Sequence, residues 1–212
     1  MINTIQYVDE LIPQPPKWAV QLEQYAKVKR IPIIDKVSLQ LLLQIILIKQ
    51  PKNILEIGTA IAYSTLRMHE IVPNAQITSL EKNEMMYEEA LRNVELYSQN
   101  NHIKILLGDA LETIERLPKE ESFDFVFIDA AKSQYHRYFN AVDPLLIKGG
   151  VIVTDNVLFR NLVLASNEEI PKRYKSIVKN LRNYNEQVMS NKNYYSSLIP
   201  IGDGLLVSIK LN

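Results

Sequence analysis

Four apolar, β-branched-rich runs separated by amphipathic segments constrain this chain more than any other feature. They are Ile54-Leu55-Glu56-Ile57-Gly58-Thr59-Ala60, Thr78-Ser79-Leu80-Glu81, Phe125-Val126-Phe127-Ile128-Asp129-Ala130 and Val151-Ile152-Val153-Thr154-Asp155-Asn156. Runs of this kind read as strands buried on both faces, the hallmark of a parallel sheet covered by helices. Each also brings a carboxylate at or near its end. Open α/β sheets bind ligands at the carboxyl ends of their strands, so the four acids predict one functional rim.

The rest of the chain fits that frame. Strands are expected near 53–57, 76–81, 103–107, 123–129 and 150–155, with helices near 62–71, 83–98, 110–117 and 133–146 between them. Such alternation predicts right-handed βαβ units. After Asp155 the pattern changes. A helix near 168–189 precedes Tyr194 to Ile199, a Gly202-Asp203-Gly204 turn and Leu205 to Ile209, which read as an antiparallel hairpin. Helices interrupted at Pro15-Pro16 fill the amino-terminal segment, and Arg30-Ile31-Pro32-Ile33-Ile34-Asp35 forms a loop before a third helix ending near Lys49. The expectation is one α/β domain over 1–212, with amino-terminal helices in 1–50 and a Rossmann-like core in 53–212. Its sheet would be mostly parallel and seven-stranded, closed by the carboxy-terminal hairpin.

Composition narrows the function classes. The 24 basic and 24 acidic residues cancel, so no global field draws the chain to nucleic acid or membrane, and polyanion binding would need a local patch. There is no cysteine, hence no disulfide framework or thiolate chemistry. The longest apolar stretch, Leu39 to Ile48, is too short to span a bilayer, and the first residues lack a basic start with an apolar run. A cytoplasmic protein without a membrane partner is expected.

One half of the rim suits a nucleoside. Gly58 follows the first strand, where the backbone must turn close to a ligand. A pyrophosphate site would want G-x-G-x-x-G, whereas Gly58-Thr59-Ala60-Ile61-Ala62-Tyr63-Ser64 offers a single glycine. Glu81 is placed to accept ribose hydroxyls, and Asp109, in Gly108-Asp109-Ala110, to accept an adenine amino group. Acids without a phosphate cradle suit a cationic nucleoside such as S-adenosylmethionine, with its sulfonium.

The other half suits a hard cation. Asp129, Asp155 and Asn156 are oxygen donors without His or Cys, the set preferred by Mg²⁺ or Ca²⁺. Lys132, three residues beyond Asp129, puts an amine beside the expected cation, where it can serve as a base. The three histidines, His69, His102 and His136, have no zinc spacing and read as surface residues.

Leu55-Glu56-Ile57-Gly58-Thr59-Ala60, Phe127-Ile128-Asp129-Ala130-Ala131-Lys132-Ser133-Gln134-Tyr135 and Asp155-Asn156-Val157-Leu158 together resemble the metal-dependent class I O-methyltransferases of the catechol and caffeoyl-CoA type. The likeness covers nearly the whole chain. It implies that Asp129, Asp155 and Asn156 hold Mg²⁺ and that Lys132 is the general base. It also implies that Ile34, Glu56, Gly58, Ser64, Glu81, Ala110 and Asp129 line the S-adenosylmethionine site, and that the protein is a homodimer. Ala62 departs from the pattern, since many relatives have glycine there.

Asp155-Asn156-Val157-Leu158-Phe159, followed by Arg160-Asn161-Leu162-Val163, is similar to the bacterial subgroup that methylates 5-hydroxyuridine at the tRNA wobble position. Between Pro171 and Lys192, six basic residues (Lys172, Arg173, Lys175, Lys179, Arg182, Lys192) face one acid, Glu186. With Lys27, Lys29 and Arg30 they could form a phosphate path for an anticodon loop. A small catechol or phenol is the alternative acceptor. A non-catalytic module that binds the cofactor or RNA is the alternative class.

Overall fold

The computed structural model describes residues 4–98, 101–118 and 122–212. Its strands are β1 (Asn53–Ile57), β2 (Gln76–Glu81), β3 (Ile103–Leu107), β4 (Phe123–Ile128), β5 (Leu146–Thr154), β6 (Tyr194–Ile199) and β7 (Leu205–Lys210). They form a seven-stranded sheet in the order β3-β2-β1-β4-β5-β7-β6. The first five run parallel, and β7 pairs antiparallel with both β5 and β6. The α/β sheet with a terminal hairpin is thus observed as expected. The order reverses between β1 and β4, which is the switch point where such sheets open a crevice.

The helices are α1 (Thr4–Leu11), α2 (Lys17–Lys29), α3 (Lys36–Lys49), α4 (Tyr63–Ile71), α5 (Glu84–Tyr97), α6 (Ala110–Arg116), α7 (Tyr135–Val142) and α8 (Lys175–Met189). Alternate strand residues serve two apolar layers. Ile54, Ile77, Phe125, Phe127 and Val153 pack against Leu39, Leu42 and Ile46 of α3 and Leu66 of α4. Leu55, Ile57, Val126, Ile128 and Ile152 meet Ile114 of α6, Phe139 of α7 and Leu181, Tyr184 and Val188 of α8. Local chemistry sets several helix starts. Asp35 accepts from the Val37 and Ser38 amides at 3.0 Å each, Asn83 from Met86 at 3.1 Å, and Asp109 from Leu111 at 3.0 Å.

Three boundaries differ from the periodicity. The expected helix over 133–146 is a 3₁₀ turn (Lys132–Gln134), then α7, then a second 3₁₀ turn (Asp143–Leu145) containing Pro144. Strand β5 begins at Leu146, before the expected 150, because Lys148, Gly149 and Gly150 interrupt the apolar pattern between Ile147 and Val151. The helix expected from 168 begins at Lys175, after a 3₁₀ turn over Lys172–Tyr174. Pro171 fixes its own φ and has no amide to donate, and Glu169 is turned back onto the Ser166 amide at 2.9 Å. Among the described residues no helix is long and apolar enough to cross a membrane.

Candidate active site

Each strand exit hangs on its neighbour. The Gly58 amide donates to the Leu80 carbonyl, Gly108 to Glu81, Asp129 to Ile57 and Asp155 to Ile128, all at 2.8 to 3.0 Å. These bonds continue the ladders one residue past the strands and line up the exits along one rim. A cavity of about 430 Å³ opens there, lined by Ile34, Gly58, Ser64, Glu81, Ala110, Asp129, Lys132, Asp155 and Asn156 among others. Nine of the eleven residues singled out in the sequence therefore share one cavity.

The other two lie outside the lining. Glu56 is inside β1 rather than at its end, fully buried and facing α4. Its carboxylate accepts from Ser64 Oγ at 2.5 Å, from Ser79 Oγ at 2.6 Å and from Thr65 Oγ1. Burial pushes its pKa up to about 7 against the lowering effect of these hydroxyls. Asp109 caps α6 through Oδ1, and its flanking residues Gly108 and Ala110 form the wall. Glu81 takes two amides, Ala60 N–H and Asn83 N–H, at 2.8 Å each. Those bonds fix its carboxylate at the lip of β2.

The glycine loop is tightly built. Gly58 has φ +103, and a Cβ there would sit 2.0 Å from the Asp129 carbonyl oxygen. Only a residue without a side chain lets β1 and β4 close on each other at this point. Ala60 and Ala62 both adopt left-handed φ, 46 and 62. For a residue with a Cβ that conformation costs roughly 1–2 kcal/mol, so the departure at Ala62 adds strain to the loop.

At the opposite end, Asp155 is fully buried. Its Oδ1 accepts from the Asn156 amide at 2.7 Å, while Oδ2 is buried with no hydrogen-bond partner. Burial, and then the charge of Asp129, raise the Asp155 pKa to about 8. Burial raises Asp129 too, against the pull of Lys132, whose Nζ lies 3.9 Å from Asp129 Oδ1. Asp35 adds a third negative charge to the field at both acids. A buried carboxylate pair with an orphaned oxygen and an adjacent amide is a donor set that fits a hard divalent cation. Asn156 is held left-handed at φ 57, a conformation Asn tolerates well. Tyr135 supports the turn by donating to the Asp155 carbonyl at 3.0 Å.

Several lining residues escaped the sequence reading. Tyr63 forms part of the wall, and its hydroxyl donates to Glu23 at 2.6 Å, tying α4 to α2. Tyr138 also lines the cavity; its spacing of three from Tyr135 on a helix was the available signal. Two other expectations are corrected. His69 is buried, its ring edge-on to His102 at 6.3 Å, because it falls on the inner face of α4. Arg182 is not free for a phosphate path, since it donates to the carbonyls of Val163 and Ala165 and to Asn167.

An O-methyltransferase family model matches residues 19–211. The chain belongs to the O-methyltransferase family. Relatives include a catechol O-methyltransferase of Niastella koreensis, 34% identical over 72% of this chain and 67% of its own. A caffeoyl-CoA O-methyltransferase of Populus kitakamiensis is 27% identical over 85% of this chain and 78% of that one. Among solved structures, a Staphylococcus aureus protein provisionally assigned as a caffeoyl-CoA O-methyltransferase superposes with a TM-score of 0.89 at 36% identity. That match covers 96% of this chain and 97% of the other. The O-methyltransferase of Bacillus cereus, solved with SAH, shares the fold at a TM-score of 0.85 and 24% identity, over 97% of this chain and 96% of that one.

Proposed function

We propose that this O-methyltransferase transfers a methyl group from S-adenosylmethionine to one of two vicinal oxygens on an acceptor, with a divalent cation at Asp129, Asp155 and Asn156. The observation that carries this is the orphaned Asp155 Oδ2, buried beside a second carboxylate and an amide at one end of the cavity. S-adenosylmethionine, when bound, supplies the sulfonium methyl. The cation, when bound, supplies Lewis acidity toward the acceptor hydroxyl.

The chain's own groups divide the remaining work. Glu81 presents a carboxylate already oriented by two amides, suited to a pair of ribose hydroxyls. The Ser64 hydroxyl donates its hydrogen bond to Glu56, which leaves its lone pairs for a donor in the cavity, such as an ammonium. Pro32, Ile33 and Ile34 form an apolar wall that excludes water. Lys132, three-quarters buried against Asp129, is the group placed to take the acceptor's proton at Nζ. Two reactants held together in one 430 Å³ cavity gain from proximity before any chemistry begins.

The acceptor we favour is 5-hydroxyuridine in a tRNA anticodon loop, whose hydroxyl lies beside a carbonyl as in a catechol. The exposed cations Lys172, Arg173 and Lys175 near the start of α8 support it, as does the similarity of 155–163 to the subgroup with that activity. The test compares methylation of tRNA carrying 5-hydroxyuridine with methylation of a simple catechol, each with and without EDTA. Transfer to the tRNA that stops in EDTA is expected. Catechol turnover with no transfer to the tRNA would replace the acceptor, and full activity in EDTA would remove the cation.

A further inference from the structure

The segment just beyond Asn156 carries a cluster that the methyl-transfer groups do not use. Phe159 and Tyr174 meet edge to face, with ring centroids 5.3 Å apart and planes at 85°. The Arg160 guanidinium lies 6.0 Å from both ring centroids, and Arg173 lies 4.6 Å from that of Tyr174. Both arginines are exposed, and neither is paired with a carboxylate among the described residues.

The backbone holds this arrangement at a cost. Phe159, Arg160 and Asn161 are three consecutive left-handed residues, with φ of 43, 56 and 59. Strain of that kind persists only where surrounding contacts enforce it. Here the β6–β7 turn enforces it. The Val157 amide donates to the Gly204 carbonyl, the Leu158 amide to the Asp203 carbonyl and the Arg160 amide to the Asp203 carboxylate. The Phe159 amide in turn donates to the Asn156 carbonyl at 3.2 Å, so the cluster begins one turn from a residue that lines the cavity.

We infer that Arg160 and Arg173, braced on the Tyr174 ring, form a clamp for a nucleotide phosphate carried by the acceptor, outside the methyl-transfer cavity. Two planar guanidiniums without carboxylate partners match a phosphate's oxygens, and an aromatic face beside them suits a base. The assignment rests on the acceptor entering the cavity described above. Two sources share this chemistry: a single-stranded polynucleotide and a coenzyme A thioester.

The test measures binding rather than turnover, so that it stands apart from the methyl-transfer reading. Fluorescently labelled pentauridylate and free coenzyme A are titrated into the protein with SAH present, against an Arg160→Gln/Arg173→Gln variant. Pentauridylate is expected to bind the unaltered protein and to lose about tenfold or more in affinity in the variant. Its dependence of log affinity on log salt should flatten by about 1.4, the value for two contacts to a single strand. Tyr174→Leu should also weaken binding, by about tenfold, with both charges kept. SAH affinity and thermal midpoint serve as folding controls. Preference for coenzyme A with the same losses in the variant supports the clamp and names the other source. Binding of neither probe, or equal binding by variant and parent, overturns it. Failure of SAH to bind with the oligonucleotide result intact would instead count against the methyl-transfer reading.

Discussion

The two halves of the rim are built on opposite electrostatic plans. At the β1–β2 end, the acidic groups are internally satisfied. Glu56 has three hydroxyl donors and Glu81 two amides. At the β4–β5 end, Asp129 and Asp155 repel each other, and one buried oxygen has no partner. A pocket with satisfied donors and acceptors is preorganised for a ligand that replaces water. A pocket whose buried carboxylates are only partly compensated, and are pushed toward holding protons, is instead poised for a ligand that brings charge of the opposite sign. The same strand-end architecture thus gives one half that is complete without its ligand and one half that is not.

The hardest test of that contrast is Asp155→Ala. Turnover should fall by about three orders of magnitude or more, since on the proposed mechanism several kcal/mol of transition-state stabilisation would come from the cation. SAH affinity should hold within a few-fold. In metal-free buffer the variant should be no less stable than its parent, because one of the two oxygens lost is buried without a partner and the other accepts a single amide. A large loss of stability without metal would show that Asp155 is satisfied after all and that the halves do not differ. Lys132→Ala comes next, with turnover down roughly two to four orders of magnitude. Activity should partly return at high pH, where the acceptor ionises unaided. Unchanged turnover at neutral pH would remove Lys132 from the reaction.

Legibility in the sequence follows the same divide. The apolar runs of β1, β2 and β4 gave their extents to within a residue, because burial on both faces leaves an unbroken signal. Asp129, Asp155 and Asn156 could be read because the strand exits carry them directly into the cavity. Glu56 misled for a physical reason. A glutamate in an apolar run looks like a strand end, and nothing local reveals three hydroxyls arriving from Ser64, Thr65 and Ser79. Asp109 reads two ways, because an acid after a strand and before a helix is both a ligand candidate and an N-cap. The field of Asp35 and the tie of Tyr63 to Glu23 depend on long-range packing, which periodicity does not carry.

Gly58 is where the two halves touch, and Gly58→Ala sharpens the contrast by damaging both at once. The added Cβ meets the Asp129 carbonyl at 2.0 Å in a left-handed backbone. The strand ends must part, at a cost of about 3 kcal/mol in stability. SAH affinity and cation-dependent turnover should fall together, unlike in Asp155→Ala. Loss of one without the other would mean that the halves move independently at this contact.

The last predicted effect, which leaves turnover aside, separates the halves by pH and Mg²⁺ together. Glu56 titrates near 7 in the folded chain, against a reference of 4.5. Its folded pKa is raised, so the native state holds more protons than the unfolded state between those values. Stability therefore falls as pH rises from about 4.5 to about 7, by on the order of 3 kcal/mol, and levels off above that. Asp129 and Asp155 shift in the same direction, so metal-free denaturation curves contain contributions from both halves. Saturating Mg²⁺ should remove the part due to Asp129 and Asp155 by compensating their charge. Most of the part due to Glu56 should persist, because burial is the main cause of its shift and the charge of Asp129 only a minor one. Glu56→Gln should then flatten what remains. Urea melts at several pH values between 5 and 8, with and without Mg²⁺, for parent and variant, check this. If the residual slope in Mg²⁺ survives Glu56→Gln, the buried glutamate is not its source, and the satisfied half of the rim titrates through some other group.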